Sequence, residues 1–149
     1  FSCFPKDRYA VLCRFHPNQA LAGGNRDSDY PREGIFDLLQ MCDYFITDYS
    51  SLALEAAAMD KPTLFYLPDD ERYRSENGVN IDLFQVMPHC TFTAQEDLFR
   101  MIDSGAYPME ALQTYKKMYL PQDLGHATEK ITELILQDDR TLKKEAAAC

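Results

Sequence analysis

The residues best suited to bind a phosphate group lie in one short polar segment near the middle of the chain. The segment reads Thr47-Asp48-Tyr49-Ser50-Ser51, between an apolar run and an alanine-rich stretch. Hydroxyl groups donate to phosphate oxygens, and the free N–H groups at the start of a helix attract the same anion. We therefore expect this segment to bind a diphosphate, with Asp48 shaping the turn through bonds to backbone N–H groups. The alternative for Ser51 is a purely structural helix N-cap.

An arginine and a histidine lie at the end of the first apolar run, residues 9–15. In an extended strand Arg14 and His16 face the same side. The planar guanidinium group of arginine is able to donate two parallel hydrogen bonds to a phosphate. Histidine, with an ordinary pKa of about 6.5, donates to a phosphate or acts as a general acid or base. His16 is the candidate catalytic residue and Arg14 a candidate phosphate ligand, with a structural histidine and a solvated arginine as the alternatives.

Four further residues are candidate ligand contacts because of their positions after the predicted strands. Glu55 lies one helical turn past Ser51 and is a candidate partner for a ribose hydroxyl. Asp70, Arg72 and Tyr73 follow another apolar run and are expected to lie near the same crevice. A charged, solvated helix surface is the alternative for each. No spacing typical of a metal site links the histidines and carboxylates, so we predict neither a metal nor a cofactor.

Short apolar runs that alternate with helical patterns must position these residues. We predict strands at residues 9–15, 44–47 and 63–67, and helices at residues 35–42, 52–59, 69–75, 93–103, 109–118 and 127–137. The helix near residue 95 is predicted to open with the capping box Thr93-Ala94-Gln95-Glu96. Such alternation is typical of a doubly wound, Rossmann-like α/β domain with a parallel sheet covered on both faces. Residues 1–139 are expected to form this domain, and residues 140–149 a flexible tail.

Composition narrows the class of protein further. The chain has 149 residues, enough for one domain with a core. Its net charge of −9 argues against a nucleic-acid partner, because backbone phosphates are bound by clustered Lys and Arg. Five scattered cysteines indicate reduced thiols in a cytosolic protein. No segment approaches the roughly 20 apolar residues that span a bilayer, and the start at Phe1 suggests a fragment of a longer protein.

The chain resembles a known family at three places. The string from Phe45 to Ser51, followed by Lys61-Pro62, is similar to the CDP-glycerol glycerophosphotransferases of teichoic acid synthesis. Arg14-Phe15-His16-Pro17 is similar to the family's Arg-x-His-Pro, and Asp69-Asp70-Glu71-Arg72-Tyr73 to its Asp-x-Glu-x-Tyr. The chain departs from the family pattern at residues 75–79 and 123–128.

The resemblance implies the carboxyl-terminal, donor-binding half of a two-domain GT-B transferase. It implies transfer of glycerol phosphate, or a related polyol phosphate, from a CDP-linked donor to a membrane-attached polymer. His16 would serve in catalysis, and the base that activates the acceptor would come from the other half. Contacts to the donor or the acceptor would come from Asp70, Arg72 and Tyr73. The expected location is cytoplasmic, at the inner face of the bacterial membrane. The alternatives are a GT-B domain that uses a UDP-sugar, in a glycosyltransferase or an epimerase, and a non-catalytic nucleotide-binding module.

Overall fold

The computed structural model describes residues 7–14, 30, 32–122 and 124–147, and side chains up to residue 137. The chain divides into two compact units, residues 1–41 and 42–149. In the first unit, helix α1 (Ile35–Met41) is formed as predicted and buries Leu38 and Leu39. The predicted strand at residues 9–15 is wrong over its described part, residues 9–14, which has no regular structure. An apolar run becomes a strand only where a neighbouring strand completes its hydrogen bonds, and among the described residues no strand pairs with residues 9–14.

A parallel three-stranded sheet forms the centre of the second unit. Ile46 lies opposite Leu64 on the next strand, and Phe65 lies opposite Thr91 on the third. This sheet confirms the α/β class and the strands predicted at residues 44–47 and 63–67. The third strand was not predicted, because two residues carry no readable alternation. In sheet order the strands are β1 (Phe45–Thr47), β2 (Thr63–Tyr66) and β3 (Thr91–Phe92).

Six helices follow or connect the strands of the second unit. They are α2 (Leu52–Ala58), α3 (Asp70–Asn77), α4 (Leu83–Val86), α5 (Gln95–Ser104), α6 (Met109–Tyr119) and α7 (Ala127–Ala147). All but the one-turn helix α4 were predicted. The backbone of α7 stays helical to Ala147, beyond the predicted end at residue 137. The flexible tail at residues 140–149 stays a prediction.

The capping box predicted at the start of α5 is wrong. Its N-cap residue is Ala94, one position later than a capping box led by Thr93 requires. Alanine has no side-chain acceptor, and no side-chain bond caps this helix. The motif depends on register, because Glu96 reaches back to the N-cap only from the third helical position. A shift of one residue therefore removes both of its bonds.

Small side chains let α2 pack closely on the sheet. Ala53 and Ala57 are buried and belong to the same core cluster as Leu64 and Phe65 of β2. Alanine brings a helix backbone near a sheet because no long side chain lies between them. The tight contact fixes where α2 begins, and hence where the turn that precedes it lies.

A left-handed residue ends α2 and redirects the chain into β2. Asp60 has φ 54°, and the N–H groups of Asp60 and Lys61 donate to the carbonyls of Ala57 and Ala56 at 3.0 and 2.9 Å. These two bonds form a Schellman motif. The Asp60 carboxylate also accepts from Lys116 on α6 at 2.7 Å. The motif and this ion pair join α2, β2 and α6 at one end of the sheet.

Candidate functional site

Asp48 stabilises the turn after β1 through a bond to the backbone, as predicted. Its Oδ1 accepts a hydrogen bond from the backbone N–H of Ser50 at 3.1 Å. This is the local side-chain-to-backbone bond by which aspartate stabilises tight turns. Thr47 is the last residue of β1 and is half-buried, whereas Asp48 and Ser50 are exposed. The turn therefore presents polar side chains at the carboxyl end of the strand.

The two serines of the turn have different roles, and Ser51 lies at the predicted N-cap position without making the capping bond. Ser51 occupies the N-cap position of α2, but with helical φ and ψ of −62° and −18° and no side-chain capping bond. Ser50 carries the local bond instead, because its Oγ accepts from the N–H of Leu52 at 3.3 Å. Ser51 is exposed, so its hydroxyl lies at the surface without a capping role.

The first N–H groups of α2 are less available than the sequence suggested. The N–H of Leu52 donates to Ser50 Oγ. Those of Ala53 and Leu54 donate to the carbonyls of Ser50 and Ser51 at 3.2 and 2.9 Å. We had expected free backbone donors here, and these three are already engaged within the turn. A phosphate at this position must therefore rely mainly on the serine hydroxyls.

Two side chains join this turn to the segment after β2. The hydroxyl of Tyr49 donates to Oδ1 of Asp70, the first residue of α3. The ring of Tyr49 stacks on that of Tyr73, with centroids 4.4 Å apart and planes 11° from parallel. Both turns follow the carboxyl ends of neighbouring parallel strands, which end at the same edge of a sheet. The structure thus brings Asp70 and Tyr73 to the polar turn.

An arginine that the sequence analysis missed holds Asp70 in place. Arg74 Nε donates to both oxygens of Asp70 at 2.8 Å, and its Nη2 donates to Asp82 at 3.0 Å. The guanidinium carbon also lies 5.9 Å from the centre of the Phe84 ring, within cation–π range. The four-residue spacing of Asp70 and Arg74 on one helix is the sequence pattern from which their contact could have been predicted. The link to Asp82 is between helices and had no local signal.

This network determines the protonation of its members. Burial acts to raise the pKa of Asp70, but the bonds from Tyr49 and Arg74 outweigh it and hold that pKa below its ordinary value. Burial, followed by the bond to Asp70, raises the pKa of Tyr49 to about 12. Tyr49 therefore keeps the proton that it donates, and Asp70 remains an anionic acceptor, throughout the neutral range.

The other predicted site residues are two residues of the second unit that take no part in this network, one residue of the first unit, and one residue outside the described part of the chain. Arg72 pairs with Asp69 at 3.1 Å on the exposed face of α3, and Glu55 is exposed on α2. Arg14 belongs to the first unit, where its Nη1 donates to the carbonyl of Tyr30 at 2.6 Å. His16 lies outside the described residues. Ligand binding by all these residues stays a prediction.

Neither a metal cluster nor a membrane span is found in the part of the chain that the structure describes. Within it, no group of three or more His, Cys, Asp or Glu side chains is arranged to hold a metal ion. The helices of that part include none both long and apolar enough to cross a bilayer.

Parallel strands that alternate with helices, with polar turns at their carboxyl ends, define this chain as an α/β protein. The family model of the CDP-glycerol:poly(glycerophosphate) glycerophosphotransferases matches residues 4–137. The chain belongs to this family. The match includes the turn after β1 and the segment after β2, and it confirms the resemblance seen in the sequence.

Several curated relatives act in teichoic acid synthesis, according to their names. The teichoic acid glycerol-phosphate primase of Staphylococcus aureus (strain NCTC 8325 / PS 47) is 30% identical over 139 residues, covering 89% of this chain and 35% of the primase. The teichoic acid glycerol-phosphate transferase of the same strain is 28% identical over 142 residues, covering 88% and 36%. The teichoic acid poly(ribitol-phosphate) polymerase of Bacillus spizizenii (strain ATCC 23059 / NRRL B-14472 / W23) is 24% identical over 156 residues, covering 93% and 25%. This chain thus spans between 25% and 36% of the length of these relatives.

Proposed function

We propose that this chain binds the donor in a transferase that moves glycerol phosphate, or a related polyol phosphate, from a CDP-linked donor to a teichoic-acid-like polymer. The observation that carries the proposal is the family match over residues 4–137, which includes the exposed serine turn after β1. The names of the relatives support it, because they include primases, transferases and polymerases that handle glycerol phosphate or ribitol phosphate.

The donor diphosphate is proposed to lie against the turn at residues 47–51. Ser51 has an exposed hydroxyl that caps no helix, and Ser50 still has a hydroxyl proton to donate while its oxygen accepts from Leu52. Thr47 adds a third hydroxyl at the end of β1, and Asp48 fixes the turn. These hydroxyls are donors of the kind that a diphosphate accepts. Their number is small, which suits one small anionic ligand rather than a polyanion.

Residues around the turn are proposed to complete the donor site. Glu55, exposed on α2, is the candidate partner for a ribose hydroxyl. Arg72 and Tyr73 on α3 are candidate contacts to donor or acceptor, together with Asp70. Arg14 is a candidate phosphate ligand from the first unit. These assignments rest on the family match and on the position of each residue in the sequence.

In the proposed reaction a hydroxyl of the acceptor polymer attacks the phosphorus of the glycerol phosphate group. A new oxygen–phosphorus bond forms, the bond to CMP breaks, and CMP leaves with the electron pair. The proton of the acceptor hydroxyl passes to a base, which we assign to the rest of the protein. His16 is proposed to neutralise charge on the departing nucleotide. Such a transfer needs positioning and charge neutralisation rather than a covalent intermediate with the enzyme.

The larger architecture belongs to the same proposal. We propose a GT-B transferase of which this chain is the carboxyl-terminal, doubly wound half, working at the inner face of the cytoplasmic membrane where its polymer acceptor is attached. The parallel sheet in the described residues is compatible with such a half.

A transfer assay on the complete protein tests the proposal. CDP-glycerol, CDP-ribitol and UDP-N-acetylglucosamine, each labelled in the transferred group, are offered with a membrane-attached acceptor. We expect label to enter polymer from a CDP-linked polyol, with release of CMP. Transfer from the UDP-sugar alone would assign the chain to the sugar-nucleotide enzymes. Nucleotide binding without any transfer would assign it to the non-catalytic modules.

A further inference from the structure

We infer that Tyr49 is a positioning residue for the donor site, and that its hydrogen bond to Asp70 holds the turn at residues 48–51 against α3. This inference rests on the proposed function, because it assumes that the turn binds the donor. It concerns a residue that contacts no ligand in the proposal. Its role is to keep the hydroxyls of Ser50 and Ser51 where the diphosphate needs them.

The bonds within the turn are local, and Tyr49 is the residue that reaches beyond it. Asp48 bonds to Ser50, and Ser50 bonds to Leu52, so these contacts set the local shape of the turn. They do not join the turn to α3. The Tyr49 side chain does so in two ways, since its hydroxyl bonds to Asp70 and its ring stacks on Tyr73.

Asp70 is a fixed point for this bond because other groups hold it. Arg74 donates to both of its carboxylate oxygens at 2.8 Å. Arg74 in turn bonds to Asp82, which also accepts from the N–H of Phe84 at 3.2 Å and so caps α4. The side chain of Asp70 is only 16% exposed, and that of Arg74 28%. A carboxylate held from two sides and largely shielded from water moves little, so Tyr49 is bonded to a stationary partner.

This arrangement explains why a tyrosine lies between Asp48 and Ser50. Ser50 and Ser51 directly follow Tyr49 in the chain, so a displacement of the Tyr49 backbone displaces both hydroxyls. Groups that bind a reacting phosphate lose much of their effect when they move by about 1 Å. A loosened Tyr49 is therefore expected to weaken donor binding while the folded core remains intact, because Tyr49 is only partly buried against the core cluster and is not one of its buried members.

Donor binding by single-hydroxyl variants of the complete protein tests the inference. Tyr49→Phe removes the bond to Asp70 and keeps a ring that stacks on Tyr73. Asp70→Asn alters the same bond from its other partner. Tyr119→Phe is the matched control, because it removes a hydroxyl from a partly buried tyrosine on α6, away from the turn. Dissociation constants for CDP-glycerol are measured by calorimetry at a temperature where circular dichroism shows every variant to be folded.

We expect Tyr49→Phe to raise the dissociation constant about tenfold, the size that loss of a bond to a charged group produces. Tyr119→Phe should leave it unchanged. The double variant Tyr49→Phe/Asp70→Asn should weaken binding by less than the sum of the two single changes, because both act on the bond between Tyr49 and Asp70, although Asp70→Asn also removes the charge that pairs with Arg74. A purely structural Tyr49 would lower the melting temperature and leave the affinity of the folded protein unaltered.

Two results would overturn the inference. One is wild-type affinity in Tyr49→Phe, or in Asp70→Asn if Tyr49→Phe does not fold. The other is full additivity of the two changes, which would mean that Tyr49 does not act through Asp70. Ser51→Ala serves as the reference for the proposed function itself. If Ser51→Ala weakens binding and Tyr49→Phe does not, only this inference fails; if neither changes it, the proposed donor site fails with it.

Discussion

Tyr107 and Thr63 form a reciprocal pair of hydrogen bonds across the edge of the sheet. The Tyr107 hydroxyl accepts from the N–H of Thr63 at 3.0 Å and donates to the carbonyl of the same residue at 3.0 Å. β3 begins opposite Phe65, so no strand reaches this part of β2 on that side. One phenol thus supplies the donor and the acceptor that a longer β3 would have supplied. Burial raises the pKa of Tyr107, which therefore keeps its proton.

Tyr107→Phe is expected to lower the free energy of unfolding by about 2 kcal/mol, because it leaves backbone groups of a buried residue without partners. Thr63 is fully buried, so water cannot replace the lost phenol. Urea unfolding followed by circular dichroism measures the change. Tyr119→Phe, which removes a hydroxyl elsewhere, should cost much less. Equal stability of the two variants would contradict this account of the sheet edge.

The two serines of the turn are expected to differ in their effect on stability. Ser50→Ala removes the acceptor for the N–H of Leu52 and should cost about 1 kcal/mol, as other losses of a local cap do. Ser51→Ala removes a hydroxyl that makes no capping bond and should leave the free energy of unfolding within about 0.5 kcal/mol of the wild type. Thermal or urea unfolding of the two variants makes the comparison. A larger loss for Ser51→Ala would restore its assignment as the structural cap.

The ion pair at the end of α2 should make the free energy of unfolding depend on pH in the acidic range. The bonds from Lys116 and then Gln113 hold the pKa of Asp60 below its ordinary value. A carboxyl with a lower pKa in the folded chain adds stability above its unfolded pKa, about 3.9, and this stability is lost as the pH falls through the folded value. The gain is expected to be under about 1 kcal/mol, since the Asp60 side chain is 52% exposed.

Asp60→Asn tests this directly, because asparagine tolerates the left-handed backbone at this position. We expect the variant to be less stable than the wild type near pH 6 and the difference to vanish once the pH has fallen below the lowered pKa of Asp60 in the folded chain. Urea unfolding at a series of pH values measures both curves. Lys116→Met removes the other partner of the ion pair and should likewise reduce the pH dependence of the free energy of unfolding in the acidic range. Parallel curves for Asp60→Asn and the wild type would refute the assignment.

His16→Ala in the complete protein separates the catalytic proposal from the non-catalytic one. We expect the transfer rate to fall by roughly 10²–10⁴-fold, the usual size of a general acid–base or charge-neutralising contribution. The dissociation constant for the donor should change far less, and measuring it beside the rate is the control for folding. An undiminished rate would place the chemistry on other residues or favour a binding module.

Most of the strands and helices could be predicted from the sequence. The predictions failed where a strand depends on a partner strand, or where a helix cap depends on the residue at which the helix begins. β1, β2 and five helices of the second unit were predicted, although α3 is a mostly charged helix without buried residues. Residues 9–14 are equally apolar and form no strand, because composition does not reveal whether a partner strand is present. The cap at α5 failed for a related reason, since the sequence favours Thr93 as N-cap, whereas the helix begins one residue later, at Gln95, and leaves Ala94 in the N-cap position.

The candidate site was predictable in its location and only partly in its contacts. That the turns after β1 and β2 lie close together follows from parallel topology. The bond of Tyr49 to Asp70 and the link from Arg74 to Asp82 depend on side-chain directions across two helices, and no local pattern encodes those. Which serine caps α2 depends on backbone angles that both serines are able to adopt.

The most direct test of the central claim is a calorimetric titration of the complete protein with CDP-glycerol, CDP, UDP and UDP-N-acetylglucosamine, repeated on Ser50→Ala/Ser51→Ala. The account predicts that cytidine nucleotides bind more tightly than uridine nucleotides, and that the double substitution weakens their binding by about tenfold or more. Cytidine binding that the double substitution leaves intact, or a preference for uridine nucleotides, would contradict it.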